Sequence, residues 1–178
     1  ADGIRSLAEH LFALGHRKLA FLSGPGSSAS NRLRLQGLEQ FTAEHPEVSM
    51  QILPGGVSFA SGHGAVHDVL ATKATGILAF NDLVAMGLLS GLHEQGVSVP
   101  GEMSVTGFDN IEFSAYTSPP LTTAAVPLNE LGERAWQRLH ELLNPAPEGS
   151  AANGSAANGS AANEGTAAES DAAAGDAA

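Results

Sequence analysis

The sequence contains no cysteine, which excludes disulfides and thiolate metal sites and leaves the redox compartment undetermined. Cations are scarce as well: eight Lys and Arg stand against 19 Asp and Glu, for a net charge of −11. So few scattered cations give no electrostatic footprint for phosphate backbones, so these residues are not expected to touch DNA or RNA themselves. No apolar run approaches the roughly 18 residues that a membrane span needs, and no membrane association is expected. No signal peptide is seen either, although a chain opening at Ala1 without Met says little about what precedes it. Finally, no Leu, Ile, Val, Phe, Trp or Tyr occurs from Asn144 onward, a stretch with five acids and no base that leaves −6 on the rest. A segment without large apolar side chains cannot offset the entropy of ordering its backbone. The folded unit is therefore expected in residues 1–143, with 144–178 a disordered low-complexity tail or insertion. Its repeats of Ser-Ala-Ala-Asn-Gly from Ser150 and Ser155 have the composition of a flexible linker.

What is present is a regular alternation. Ile4, Leu7, Ala8, Leu11 and Phe12 have helical spacing, Gly15 closes that run, and Lys18-Leu-Ala-Phe-Leu-Ser23 reads as a short buried strand. Helices are predicted over about Asn31–Glu44, Ser61–Leu70, Asp82–Gln95 and Asn129–Leu143, with strands at Met50–Leu53, Gly76–Phe80 and Met103–Gly107. Short strands alternating with helices imply βαβ units, so the fold class is α/β, a parallel sheet with helices on both faces. Ligands of such sheets bind beyond the carboxyl ends of the strands, which directs attention to the loops after Ser23, Leu53, Phe80 and Gly107.

The loop Gly24-Pro-Gly-Ser-Ser-Ala-Ser30 has the strand–loop–helix setting of an anion or hydroxyl cradle, but it lacks the Gly-Lys-Ser/Thr of a P-loop and the third glycine of a dinucleotide fingerprint. Seen alone, such a loop is more often a helix cap with turn glycines. Arg32 and Arg34 sit at the end of a helix dipole that disfavours cations, so one is expected to have a carboxylate or ligand partner. Two residues apart, they cannot both face the cleft. Asn81-Asp82 and Asp109-Asn110 place short carboxylates and amides at strand ends, where they could hold neighbouring hydroxyls of a polyol or serve as an N-cap and an Asx-turn. His63 and His67 form an i, i+4 pair without the Glu of a zinc-protease frame, and His16 in a turn reads as structural. No nucleophile–base pairing is visible, so the chain is not expected to be an enzyme, and no cofactor is expected.

Several segments then resemble one family. Leu14-Gly-His-Arg-Lys-Leu-Ala-Phe-Leu-Ser-Gly-Pro25, Arg32-Leu-Arg-Leu-Gln-Gly37, Ala79-Phe-Asn-Asp-Leu-Val-Ala-Met-Gly87, Gly96-Val-Ser-Val-Pro-Gly-Glu-Met-Ser-Val-Thr-Gly-Phe-Asp-Asn110 and Pro119-Pro-Leu-Thr-Thr123 are similar, in order, to motifs of the lactose-repressor/galactose-repressor regulators. The resemblance implies a periplasmic-binding-protein-like domain, mainly its C-terminal subdomain with a crossover at Thr122–Pro127 and one returning helix. It implies ligand contacts at Ser28, Ser30, Arg34, Asn81 and Asp109, with a small effector, a sugar or related polyol, controlling a homodimer. DNA would be bound only through a helix-turn-helix outside this chain, in the cytoplasm. Where the family often has an aromatic residue after the second strand, Val57 stands, with Phe59 two residues on, and Leu128 takes a position after the crossover that is sometimes aromatic. The rival readings are a sugar-binding protein of a transport system with the same fold, and an enzyme on a doubly wound scaffold.

Overall fold

The computed structural model describes residues 1–144. It divides into two units, Ala1–Glu133 and a second beginning at Arg134. The elements run α1 (Asp2–Ala13), β1 (Lys18–Ser23), α2 (Ala29–Glu44), β2 (Ser49–Pro54), α3 (Phe59–Gly64), α4 (Val66–Thr72), β3 (Gly76–Ala79), α5 (Asp82–Glu94), β4 (Ser104–Asp109), a short 3₁₀ helix (Glu112–Tyr116), β5 (Thr122–Ala125) and α6 (Leu128–Leu143). The five strands pair in the order β2-β1-β3-β4-β5, every pairing parallel.

Alternation along the strands divides the core into two layers, as the pleat requires. Leu19, Phe21, Leu78 and Phe80 turn to one face, where they pack with Ile4, Leu7 and Leu11 of α1 and Leu38 and Phe41 of α2. Ala20, Leu22, Ile77 and Ala79 turn to the other and meet Val66 and Val69 of α4 and Val84, Leu88 and Leu92 of α5. The predicted α/β class with helices on both faces is therefore the observed one.

Three local expectations are corrected. The helix predicted over Ser61–Leu70 is two helices, α3 and α4, meeting at Ala65. Ser58 caps α3 through a reciprocal bond with Ser61, which starts the helix two residues early. Gly62 and Gly87 then bring α3 and α5 to backbone contact, since a Cβ on Gly62 would strike the Val84 carbonyl and one on Gly87 the Phe59 carbonyl. The crossover Thr122–Pro127 contains a fifth strand, β5, held by pairing with β4 from Thr106↔Thr122 to Asp109↔Ala125. That pairing also carries β4 to Asp109, two residues past its predicted end, so Asp109 is the last strand residue and not part of a loop.

In α6 no residue is buried, and Leu128, Leu131, Trp136, Leu139, Leu142 and Leu143 are all exposed. The predicted tail lies outside the described residues apart from Asn144.

Candidate functional site

At the carboxyl ends of β4 and the edge strand β5 a cleft of about 590 Å³ opens, lined by Ser30, Leu33, Arg34, Phe108, Asp109, Asn110, Ile111, Val126, Leu128 and Ala1. Its polar centre is a pair from different elements. Arg34 comes from the second turn of α2, and its Nη2 lies 3.5 Å from Oδ1 of Asp109 at the end of β4. Charge-assisted bonds of this type close to about 2.7–2.9 Å, so the pair is held apart.

Two rings explain the position of the arginine. The guanidinium carbon sits 3.9 Å from the centroid of Phe108 and 4.4 Å from that of Phe80. Phe80 in turn lies where a side chain at position 24 would be, because a Cβ on Gly24 would come within 2.6 Å of its ring. The Gly24 amide donates to Oδ1 of the buried Asn31 at 2.9 Å, which fixes the loop against α2. Arg34 is 7% exposed, and its Nε has no partner. Burial lowers the guanidinium from its ordinary pKa, with the Asp109 charge opposing. Burial also raises Asp109, while Arg34 pulls it back and the Asp82 carboxylate adds to the rise.

Asp109 is presented by unusual backbone. Its φ is +109° and that of Asn110 is +53°, the left-handed side that non-glycine residues seldom adopt. Such conformations persist only where the surroundings enforce them. The Asn110 amide donates to Oγ1 of Thr123 at 3.2 Å and the Ile111 amide to Oδ2 of Asp82 at 2.8 Å.

Of the five residues singled out from the sequence, Arg34, Asp109 and Ser30 come together on this cleft. Ser28 is the N-cap of α2, its hydroxyl accepting from the Asn31 amide at 3.3 Å. Asn81 is the N-cap of α5: its Oδ1 accepts from the Val84 amide at 2.9 Å and its Nδ2 donates to the Val57 carbonyl at 3.1 Å. The N-cap is thus Asn81, while Asp82 is buried and receives bonds from distant segments. Of the two arginines, Arg32 is exposed and donates to the Ser27 carbonyl at 3.1 Å, leaving Arg34 to the cleft. Leu128 is on the cleft wall, whereas Val57 and Phe59 are not, so the ring nearest the polar pair is Phe108.

The other chemical candidates fall elsewhere. His63 and His67 are separated by the α3–α4 junction, and His63 Nε2 lies 3.0 Å from Glu94. Glu9, Glu44 and His45 cluster closely enough to hold a metal, but the Arg5 guanidinium already sits 2.6 Å from Glu44. His16 bridges Thr75 and Ser104 through its two ring nitrogens, at 2.9 and 3.0 Å, as a structural residue should. A second groove of about 560 Å³ is lined by Phe59, Met86, Leu89, Ser90, His93, Phe113, Tyr116, Thr117 and Ser118. No helix among the described residues is long and apolar enough to cross a membrane.

Comparison with known proteins agrees with this architecture. Residues 8–155 match the family described as periplasmic binding protein-like domain. The chain is 36% identical over 143 residues to the lactose operon repressor of Escherichia coli, covering 79% of this chain and 40% of that protein. It is 37% identical over 137 residues to the transcriptional repressor PurR of Photobacterium profundum, covering 75% and 41%. The chain thus spans about two fifths of the curated relatives it matches. Among solved structures, a LacI family regulator from Enterococcus faecalis with bound ribose superposes with a TM-score of 0.72 at 34% identity, over 80% of this chain and 52% of that one. The lac repressor dimer bound to operator and the anti-inducer ONPF does so with 0.73 at 36% identity, over 79% and 50%. With the parallel sheet and its cleft, these matches establish that the chain belongs to the periplasmic binding protein-like domain family and is a homologue of the lactose operon repressor and of the transcriptional repressor PurR.

Proposed function

We propose that residues 1–143 are the effector-sensing domain of a bacterial transcription regulator and that the cleft takes a small neutral polyol, a sugar foremost. The observation that carries this is the Arg34–Asp109 pair, buried on one side and separated by 3.5 Å at the carboxyl end of the sheet. A cation and an anion held slightly apart supply donors and an acceptor without net charge, which suits vicinal hydroxyls. The surrounding Leu33, Ile111, Val126 and Leu128 suit the apolar face of a sugar ring.

In this reading Arg34, Asp109 and Ser30 contact the ligand, while Ser28 and Asn81 fix the loops around it as helix caps. Ribose is bound by one neighbour of known structure, which makes D-ribose the first probe. DNA would be bound by a segment other than these acidic residues, which places the protein in the cytoplasm. A second copy would pack on the groove of Phe59, Met86, Leu89, Phe113 and Tyr116, consistent with a dimeric relative. The ligand would act by binding one arrangement of the protein more tightly than another, a coupling typically of about 1–3 kcal/mol.

The test is a titration of the isotope-labelled chain with D-ribose and a panel of neutral sugars and nucleobases, followed by amide shifts, which detect millimolar binding. Saturable shifts at Ser30, Arg34 and Asp109 that vanish in Arg34→Met are expected. Their absence for every compound would remove the assignment of the cleft.

A further inference from the structure

We propose that the Asp82 carboxylate and the Thr123 hydroxyl form a positioning link that ties the start of α5 to the ends of β4 and β5, so that the backbone presenting Asp109 and the strand leading to Val126 and Leu128 move together. The proposal rests on Asp109 being a ligand contact only for its functional meaning; the link itself is a matter of geometry.

Asp82 opens α5 and is 1% exposed, yet neither of its oxygens serves α5 as a cap. Oδ2 accepts from the Ile111 amide at 2.8 Å, and Oδ1 accepts from the Thr123 hydroxyl at 2.6 Å. The same Thr123 oxygen accepts from the Asn110 amide at 3.2 Å. One carboxylate thus holds both amides that follow Asp109, one directly and one through a hydroxyl. That is the stretch whose left-handed backbone at Asp109 and Asn110 needs outside enforcement.

The other end of the link is β5. Thr123 pairs with Gly107, and β5 runs on past Ala125, the partner of Asp109, to Val126 and Leu128 on the cleft lining. Gly107 has no room for a side chain, because a Cβ there would strike Asp82 Oδ1, so the carboxylate is pressed against the backbone of β4. The donor inventory explains why the residue is an acid. Both described partners, an N–H and an O–H, donate, and only a carboxylate offers two accepting oxygens and no competing donor. An asparagine would satisfy one partner and present an NH₂ to the other.

The experiment is amide hydrogen exchange and chemical-shift mapping on the 178-residue chain and its Thr123→Val, Thr123→Ser and Asp82→Asn variants, with Phe21 and Leu78 of the sheet reporting the fold. Thr123→Val is expected to speed exchange at Asn110 and Ile111 about tenfold relative to Phe21 and Leu78, the size of effect that follows from a lost buried bond. It should shift the Asp109 and Val126 signals together, and Thr123→Ser should restore both. Asp82→Asn should likewise perturb Asp109 and Leu128 at once. Perturbations confined to the Asp109–Ile111 stretch or to β5 and the residues after it, in either variant, would overturn the link. If Thr123→Val does not fold, Asp82→Asn decides by the same criterion. None of these readouts needs a ligand, so a failure of D-ribose to bind would count against the sugar-binding reading and leave the link standing.

Discussion

Replacing Arg34 by Met separates a binding arginine from a structural one. Met keeps an unbranched apolar body between Phe80 and Phe108, so packing is largely retained. The change removes a buried Nε without a partner, whose desolvation costs about 1–3 kcal/mol. It also removes contacts to two rings worth about 0.5–2 kcal/mol each when desolvated. Asp109, whose side chain is 40% exposed, regains water instead of being left buried and unpaired, and a partly exposed ion pair contributes only about 0–1 kcal/mol. Against the roughly 1–3 kcal/mol recovered stand about 1–5 kcal/mol lost, so the net loss is centred near about 1 kcal/mol, a urea midpoint shift of about 0.3–1 M. Ligand binding loses a charge-assisted bond of about 1.5–3 kcal/mol, roughly tenfold to a hundredfold in affinity. Urea unfolding followed by circular dichroism, beside a sugar titration, measures both. A loss of more than about 3 kcal/mol in stability with unchanged affinity would refute the reasoning and make Arg34 a core residue.

Gly62→Ala and Gly87→Ala should each destabilise the fold toward the upper end of about 1–3 kcal/mol, because the new methyl meets a backbone carbonyl that cannot rotate away; thermal unfolding checks this. Burial holds His16 below its ordinary value of 6.5, so the unfolded chain takes up a proton first as pH falls. Stability should therefore decline below about pH 6.5 and level off below the folded pKa, and that decline should disappear in His16→Gln; denaturant titrations at several pH values read it. Asp109, raised in the folded state, works in the opposite direction: its ionisation costs stability as pH rises from 3.8 through its folded pKa, and Asp109→Asn should remove that fall. Phe113→Ser with Tyr116→Ser should leave a monomer at concentrations where the unaltered chain pairs, as sedimentation equilibrium would show, if the second groove is where copies meet.

Periodicity made the central elements legible. Lys18–Ser23 and Gly76–Ala79 are short apolar runs between helical segments, and they form the middle of the sheet. Thr122–Ala125 gave no such signal. Its small residues lack alternation, and it is a strand because β4 pairs with it. The close approach of α5 to α3 at Gly87 was likewise not legible, because it joins segments far apart in the chain. At the site, a cation at the wrong end of a helix dipole pointed to Arg32 or Arg34, and the family resemblance chose Arg34. The rings that hold Arg34, from the ends of β3 and β4, were invisible because nothing in their local sequence marks them as its partners. The sequence leaves Asp82 open between a cap and a hydroxyl-binding role for the same reason: its donors lie 29 and 41 residues away and converge on it only in the folded sheet.

The central claim, that the Arg34–Asp109 pair binds a neutral polyol, is tested most directly by a crystal structure of the chain grown in saturating D-ribose. The account predicts a sugar in the cleft with hydroxyls on Arg34 and Asp109 and its ring against Leu33 or Val126. A closed Arg34–Asp109 pair with the sugar absent, or bound elsewhere on the surface, would contradict it.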